Sequence, residues 1–345
     1  MARIQRTAFQ RCIPLNVTFE ITLRCNLLCR HCYNFDREQP YAPGRSLNQE
    51  LSVTEVLRIL GELHEEGCLL LAFTGGEALL HPHLDEFVRH AATLGMAVRL
   101  KSNGTGLTVG RVARLKTAGV TAVDVSLYGA TADVHDAFVR QPGAHARTIA
   151  GMRNAREAGL QVQCSIIVTR TNADQLGDML RLAESLDVNR QINAQLSVRH
   201  DGSRSSLDDA AQRDALEQLY RGPLRSFAVA REHSDSVQCA CARSNCGITA
   251  FGDVYPCIGA PLSGGNLREQ SFREIWRDSP TFNWIRGLRL SDFAACRDCT
   301  RRAYCRRTSG FMYSNTGDYT GPRRFGDEFA CIEADVVGGI AEAAP

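Results

Sequence analysis

The chain has 345 residues, 44% hydrophobic and 23% charged, with a formal net charge of +2. That length buries a substantial core and suggests one large domain plus a smaller one, while near-neutral charge leaves no footprint for nucleic acid or an anionic membrane surface. The longest uninterrupted apolar run, 68–73, is far too short to span a bilayer, and the N-terminus lacks an export signal's apolar stretch and cleavage site, so a cytoplasmic protein is expected.

In chain order, short apolar runs read as strands at 16–23, 69–73, 97–100, 122–126, 161–168 and 192–197. Between them, amphipathic helices are predicted at 53–66, 84–94, 112–118, 146–158 and 176–186. Six strands alternating with helices imply a parallel α/β sheet with right-handed crossovers. The count fits a partial (β/α)6 TIM-like barrel, with a doubly wound sheet as the alternative. A polar, helix-prone stretch then covers 201–236. From 237 onward the chain is rich in cysteine and in Gly-, Arg- and Asp-bearing loops, with few periodic segments. The expected division is an N-terminal extension (1–15), a core (16–200), a helical linker (201–236) and a small C-terminal domain (237–345) organised by metal rather than by a large apolar core.

In such folds function gathers at the C-terminal ends of the strands. Five strand ends carry polar or glycine-rich material: the cysteine run at 25–32, TGGE at 74–77, KSNGT at 101–105, SLYG at 126–129 and TRTN at 169–172. The 14 cysteines are the compositional exception. Without an export signal, tight clusters of thiols read as metal ligands rather than disulfides. Cys25, Cys29 and Cys32 supply three thiolates, one short of four, and on spacing alone an incomplete zinc site stays open. The isolated Cys12, Cys68 and Cys164 read as small buried hydrophobes.

The spacing Cys25-x3-Cys29-x2-Cys32, with the aromatic His31 before the last cysteine, resembles the signature of the radical SAM superfamily. The resemblance implies a [4Fe–4S] cluster on these three cysteines, its fourth iron left for the amino and carboxylate groups of S-adenosylmethionine. TGGE resembles the second-strand motif of that family, which implies that Gly75 and Gly76 admit the methionine moiety closely and that Glu77 neutralises its ammonium. SLYG with the following HDAFVR resembles the segment in which Ser126 and Arg140 meet the ribose and carboxylate. Ser102, Asn103 and Asn172 stand where relatives line the cofactor pocket, with turn or helix-cap roles as the plain alternatives.

Two further cysteine sets resemble the SPASM extension of the same superfamily, which carries auxiliary iron–sulfur clusters. The first is Cys239-x6-Cys246-x5-Gly252-x4-Cys257, with Cys241 extra. The second is Cys296-x2-Cys299-x5-Cys305, followed by Cys331. The resemblance assigns Cys296, Cys299, Cys305 and Cys331 to one [4Fe–4S] cluster, with a zinc ribbon as the alternative. The first set departs from the pattern, because its closing cysteine is replaced by Ser309. Either Cys241 substitutes, which is the expectation, or the Ser309 hydroxyl ligates, or an iron stays open to substrate; a two-iron cluster is a further form. Arg297, Arg301, Arg302, Arg306 and Arg307 interleave with the ligands and read as charge compensation for an anionic cluster, with docking of an acidic peptide as the sharper reading.

The resemblance implies reductive cleavage of S-adenosylmethionine and hydrogen abstraction from a substrate C–H bond, with electrons from a donor such as flavodoxin or ferredoxin. The expected substrate is a ribosomally made peptide, to be crosslinked, epimerised or oxidatively decarboxylated. Small-molecule or redox-cofactor biosynthesis is the alternative. Ile258 stands where sulfatase activators carry an acidic residue, which counts against that activity. Only about 15 residues precede the first strand, so a peptide would dock directly or through a separate leader-peptide-binding protein. The reading from a different class is a zinc-bound protein without catalysis.

Overall fold

The computed structural model describes residues 2–227, 240–305, 307–321 and 328–343. An N-terminal helix α1 (Ala2–Arg11) precedes β1 (Asn16–Thr22). Then follow α2 (Val53–Glu65), β2 (Leu70–Gly75), α3 (Leu84–Thr93), β3 (Ala97–Ser102), α4 (Val109–Ala118) and β4 (Val120–Leu127). Two helices, α5 (Ala132–Val139) and α6 (Ala144–Glu157), lead to β5 (Gln161–Ile167), and α7 (Leu176–Ser185) leads to β6 (Asn189–Asn193). Local chemistry sets several boundaries. Ser52 and Glu55 cap α2 reciprocally, and Gly119 ends α4 in the left-handed region at φ +119°.

The strands lie in the order β6-β5-β4-β3-β2-β1, all parallel. Each strand pairs with its predecessor and the order never reverses. A doubly wound sheet requires a reversal, so the winding is that of a partial barrel. Val17, Phe19, Ile21, Leu71, Phe73, Val98, Leu100, Val123, Val125, Cys164 and Ile166 fall on one face and pack into the core. The alternate positions, among them Thr18, Glu20, Arg99, Lys101, Asp124 and Ser126, belong to the opposite face by the period of two.

The structure adds to the expectations and departs from them in places. The sixth strand covers Asn189–Asn193 rather than 192–197. Among the described residues it is an edge strand, paired only to β5, and needs no apolar run. The N-terminal extension holds helix α1, whose Ala8 is buried. The C-terminal region is not organised by metal alone. Its strands β7 (Asn245–Ile248), β8 (Asp253–Tyr255) and β9 (Gly265–Asn266) extend the barrel sheet from β1. Helices α8 (Arg213–Arg221), α9 (Phe272–Asp278), α10 (Pro280–Gly287) and the short α11 (Ala294–Arg297) lie to either side of that extension in sequence, and α12 (Ser309–Thr316) and α13 (Glu328–Glu342) follow. Phe272, Ile275, Trp276, Phe282, Ile285 and Phe293 belong to the same continuous core as Phe19 and Phe73. Trp276 also donates its indole N–H to the Cys12 carbonyl at 2.7 Å, tying α9 to the segment between α1 and β1. Of the expected linker, the described part holds a 3₁₀ turn at Ser205–Asp209, then α8, then a second 3₁₀ turn at Arg225–Phe227. Among the described residues no helix is long and apolar enough to cross a membrane.

Candidate functional site

Beyond β1 the chain leaves the sheet and runs across the ends of the next strands. Cys25, Cys29 and Cys32 come together there on the wall of a cavity of about 140 Å³, with Gly75 and Gly76 from β2, Ser102 and Asn103 from β3 and Ser126 from β4. Two backbone N–H groups of this loop, on Leu28 and Arg30, donate to the Val139 and Phe138 carbonyls at the end of α5 (3.1 and 3.2 Å). Leu27 is fully buried against Tyr128, Phe138, Val139 and Ala144. The sequence reading missed helix α5; its end is what seats the cysteine loop.

Burial pushes the Cys29 thiol well above its ordinary range and raises Cys25 too, with neighbouring thiols adding to both. Three thiolates in such a place need compensating charge. Arg37 supplies it. Its Nε donates to Cys32 Sγ at 3.0 Å, its Nη1 donates to the Leu23 carbonyl at 2.8 Å, and its guanidinium lies 4.2 Å over the Phe35 ring. Arg37 is 8% exposed and was missed by sequence reasoning; the available signal was an arginine five positions past the last cysteine of the loop. Among the described residues no three His, Cys, Asp or Glu side chains gather tightly enough to share one metal ion. An iron–sulfur cube needs no such convergence, since each thiolate takes its own iron.

The strand ends perform work beyond the expectation. Gly76 N donates to the Thr22 carbonyl and Glu77 N to the Arg24 carbonyl, both at 2.8 Å. A Cβ on Gly75, which sits at φ +132°, would lie 1.9 Å from Thr22 O, and one on Gly76 would lie 2.2 Å from Arg24 O. The glycines are therefore demanded by the backbone of the cysteine loop itself, whatever else approaches them. Glu77 is 2% exposed and faces β3 rather than the cavity. Its carboxylate accepts from Ser102 Oγ (3.0 Å), Asn103 N (2.8 Å) and Leu79 N (3.1 Å). Burial raises its pKa, and these hydrogen bonds oppose the rise. Asn103 in turn donates to Asn26 Oδ1 at 2.9 Å, and Asn26 donates to Thr105 Oγ1 at 2.9 Å. Asn26, inside the cysteine run, was likewise missed.

His31 packs between aromatic rings, 4.9 Å from Tyr128 and 5.1 Å from Phe138. Burial lowers its pKa to about 4, helped by Arg199, so the ring is neutral at physiological pH. Its Nδ1 is buried on the cavity wall without a described hydrogen-bond partner. Arg140 and Asn172 stand apart from the cavity. Arg140 ends α5 at φ +54° and pairs with Glu38 at the surface. Asn172 is fully buried and donates to the Tyr128 and Ile167 carbonyls (both 2.9 Å) while accepting from Thr169 N (2.7 Å), so it ties the β4 and β5 ends together.

In the C-terminal region Cys241, Cys246 and Cys296 are buried, and Cys257, Cys299 and Cys305 are half-buried. Burial drives the Cys246 thiol well upward, and Cys68 and Cys257 add to the rise while Arg286 opposes it. Cys239 and Arg306 lie outside the described residues. Cys331 falls in α13, its side chain outside the described residues. Arg297 is held by Asp298 at 3.0 Å, and Arg301 pairs with Glu342. Arg307 donates to Ser309 Oγ at 2.9 Å.

The donor set fits an iron–sulfur cluster at the first site: three thiols lining one cavity, an arginine bonded to one of them, and an unpartnered ring nitrogen on the same wall. The comparisons agree. A family model described as the radical SAM superfamily matches residues 19–183, and one described as an iron-sulfur cluster-binding domain, SPASM, matches residues 239–300. The chain is 28% identical to an AdoMet-dependent heme synthase of Methanosarcina barkeri, over 89% of this chain and 94% of that protein. It is 31% identical to a PqqA peptide cyclase of Rhodopseudomonas palustris, over 83% of this chain and 82% of that protein. Streptococcus suis SuiB bound to S-adenosylmethionine superposes with a TM-score of 0.66 at 16% identity, covering 88% of this chain and 76% of that one. That likeness concerns the fold.

Proposed function

We propose a function from one premise: this chain belongs to the radical SAM superfamily and carries a SPASM domain. It is an enzyme, which removes the reading of a zinc-bound protein without catalysis. A [4Fe–4S] cluster with S-adenosylmethionine bound supplies a 5′-deoxyadenosyl radical that abstracts hydrogen from a substrate C–H bond. The chain's own residues prepare the place. Cys25, Cys29 and Cys32 hold the cluster, and Arg37 offsets its charge through Cys32. Glu77, Ser102, Asn103 and Asn26 lock the first three strand ends together, so that the cavity wall is rigid before anything binds. Leu27, Tyr128 and Phe138 keep water from one side of it.

The observation that carries this reading is the convergence of three cysteines with the second, third and fourth strand ends on one cavity. The substrate we favour is a ribosomally made peptide, in line with the PqqA peptide cyclases and the mycofactocin maturase of Mycobacterium ulcerans among the relatives. The heme synthase supports a second reading, a radical step in small-molecule biosynthesis. An electron donor such as flavodoxin or ferredoxin and a separate peptide-recognition protein complete the peptide reading. Anaerobically prepared protein with reductant and S-adenosylmethionine is expected to form 5′-deoxyadenosine, and Cys29→Ala to abolish it. Undiminished 5′-deoxyadenosine from that variant would overturn the assignment.

A further inference from the structure

The first auxiliary site lacks a cysteine where Ser309 stands, and the fold says where Ser309 went. Helix α12 begins at Ser309 and is pressed onto the segment that follows Cys257. The place a Gly310 Cβ would occupy is 3.0 Å from Cys257 Sγ and 3.2 Å from Ala260 Cβ. Ser314 Oγ donates to the Gly259 carbonyl at 2.8 Å, fixing the same contact one turn later. Ser309 therefore stands at the start of a helix that packs on Cys257, one position from the contact itself.

Ser309 is completely buried, yet its surroundings are polar. Arg307 donates from Nη1 to Ser309 Oγ at 2.9 Å and from Nη2 to the Tyr319 carbonyl at 2.9 Å, with its guanidinium 4.9 Å over the Phe293 ring. Two neighbouring atoms, Arg307 Nε and Thr308 Oγ1, are buried with no hydrogen-bond partner among the described residues. Buried polar atoms left unpartnered are costly and call for an explanation. A buried cation, an unpartnered N–H and a buried hydroxyl one residue from a helix–thiol contact suit one kind of occupant, an anionic group that a thiolate and an oxygen bind from two sides.

We propose that Ser309 Oγ is the protein ligand that closes the first auxiliary iron–sulfur cluster on the Cys257 side, with Arg307 donating a hydrogen bond to the bound oxygen. This rests on the family reading, which supplies the cluster. On binding, an iron–oxygen bond forms, the Ser309 O–H bond breaks and the proton passes to solvent. No electron moves in that step. Arg307 favours the anionic oxygen, and the oxygen, a harder donor than sulfur, favours the oxidised cluster. Cys241 is then not needed as a replacement for the missing cysteine.

The test uses the full chain with Cys25, Cys29 and Cys32 changed to alanine, so that only auxiliary clusters contribute. Iron per chain, Mössbauer spectra and EPR-monitored redox titrations are compared among Ser309, Ser309→Cys and Ser309→Ala forms. Ser309→Cys is expected to keep the iron content, raise the midpoint potential of one cluster and leave the other unchanged. Ser309→Ala is expected to lose iron from that cluster, or to expose an iron whose EPR signal shifts on adding imidazole. Identical iron content, spectra and potentials in all three forms would overturn the ligand assignment alone. Absence of iron and sulfide from the parent form would overturn the family reading of the C-terminal region, and the proposal with it.

Discussion

Gly76→Ala separates two explanations of the Gly-Gly-Glu segment. If the glycine serves only the approach of a cofactor, the change weakens S-adenosylmethionine binding and leaves the empty protein alone. The packing says otherwise. The added Cβ would stand 2.2 Å from Arg24 O, 2.5 Å from Leu23 O and 2.6 Å from Arg24 C, all backbone atoms of the cysteine loop. Ordinary van der Waals contact begins near 3.4 Å, so the loop must retreat by about 1 Å. Overpacking of this kind costs about 1–3 kcal/mol, and a misplacement of ~1 Å at a reacting centre costs about 100-fold in rate. Gly61→Ala is the matched control. It lies in α2 with nothing within 4 Å of its would-be Cβ and should stabilise by about 0.5–1 kcal/mol. Urea unfolding of cluster-free protein reads the first quantity, and 5′-deoxyadenosine formation by the loaded enzyme reads the second. Should cluster-free Gly76→Ala protein unfold at the wild-type urea midpoint, the loop-contact explanation is wrong, whatever happens to the rate.

Glu20 gives a pH signature. Burial on β1 raises its pKa to about 7, opposed by the Tyr33 hydroxyl, the Asn34 side chain and Arg37, and reinforced by Glu50. The folded chain therefore holds a proton that the unfolded chain releases, and this group's contribution to stability falls as pH rises from about 4.5 to about 7, by at most about 3 kcal/mol. Urea unfolding at pH 5 and pH 8 should show that fall in the wild type and a shallower one in Glu20→Gln; equal slopes would refute it. Trp276 tests the shared core. In a Trp284→Phe background it is the only tryptophan, and it is fully buried. Its emission should stay blue-shifted after a chelator strips the clusters, and a red shift to the position of solvent-exposed indole would mean that metal, not packing, holds the C-terminal region.

The parallel barrel was legible because its code is local: apolar runs at strand spacing alternating with amphipathic helices place five of the six barrel strands to within about two residues. The sixth slid because an edge strand carries little of that code, with Asn189, Arg190 and Gln191 exposed. The C-terminal core was legible in principle, since Phe272 and Trp276 are one helical turn apart, but the cysteines drew the reading toward metal. The site divides along the same line. Cys25, Cys29 and Cys32 are close in sequence, so spacing alone nominates them. Arg37 and Asn26 act through neighbours that the fold brings within reach, Cys32 Sγ in one case and Thr105 in the other, and no spacing rule marks them. Gly75 and Gly76 are an intermediate case. The motif correctly announces that no side chain fits, but the atoms that forbid one, Thr22 O and Arg24 O, lie on a different strand end. Ser309 reverses the relation. Counting positions marks it as an omission, and only the packing of Gly310 against Cys257 Sγ shows that the helix Ser309 opens lies on that thiol.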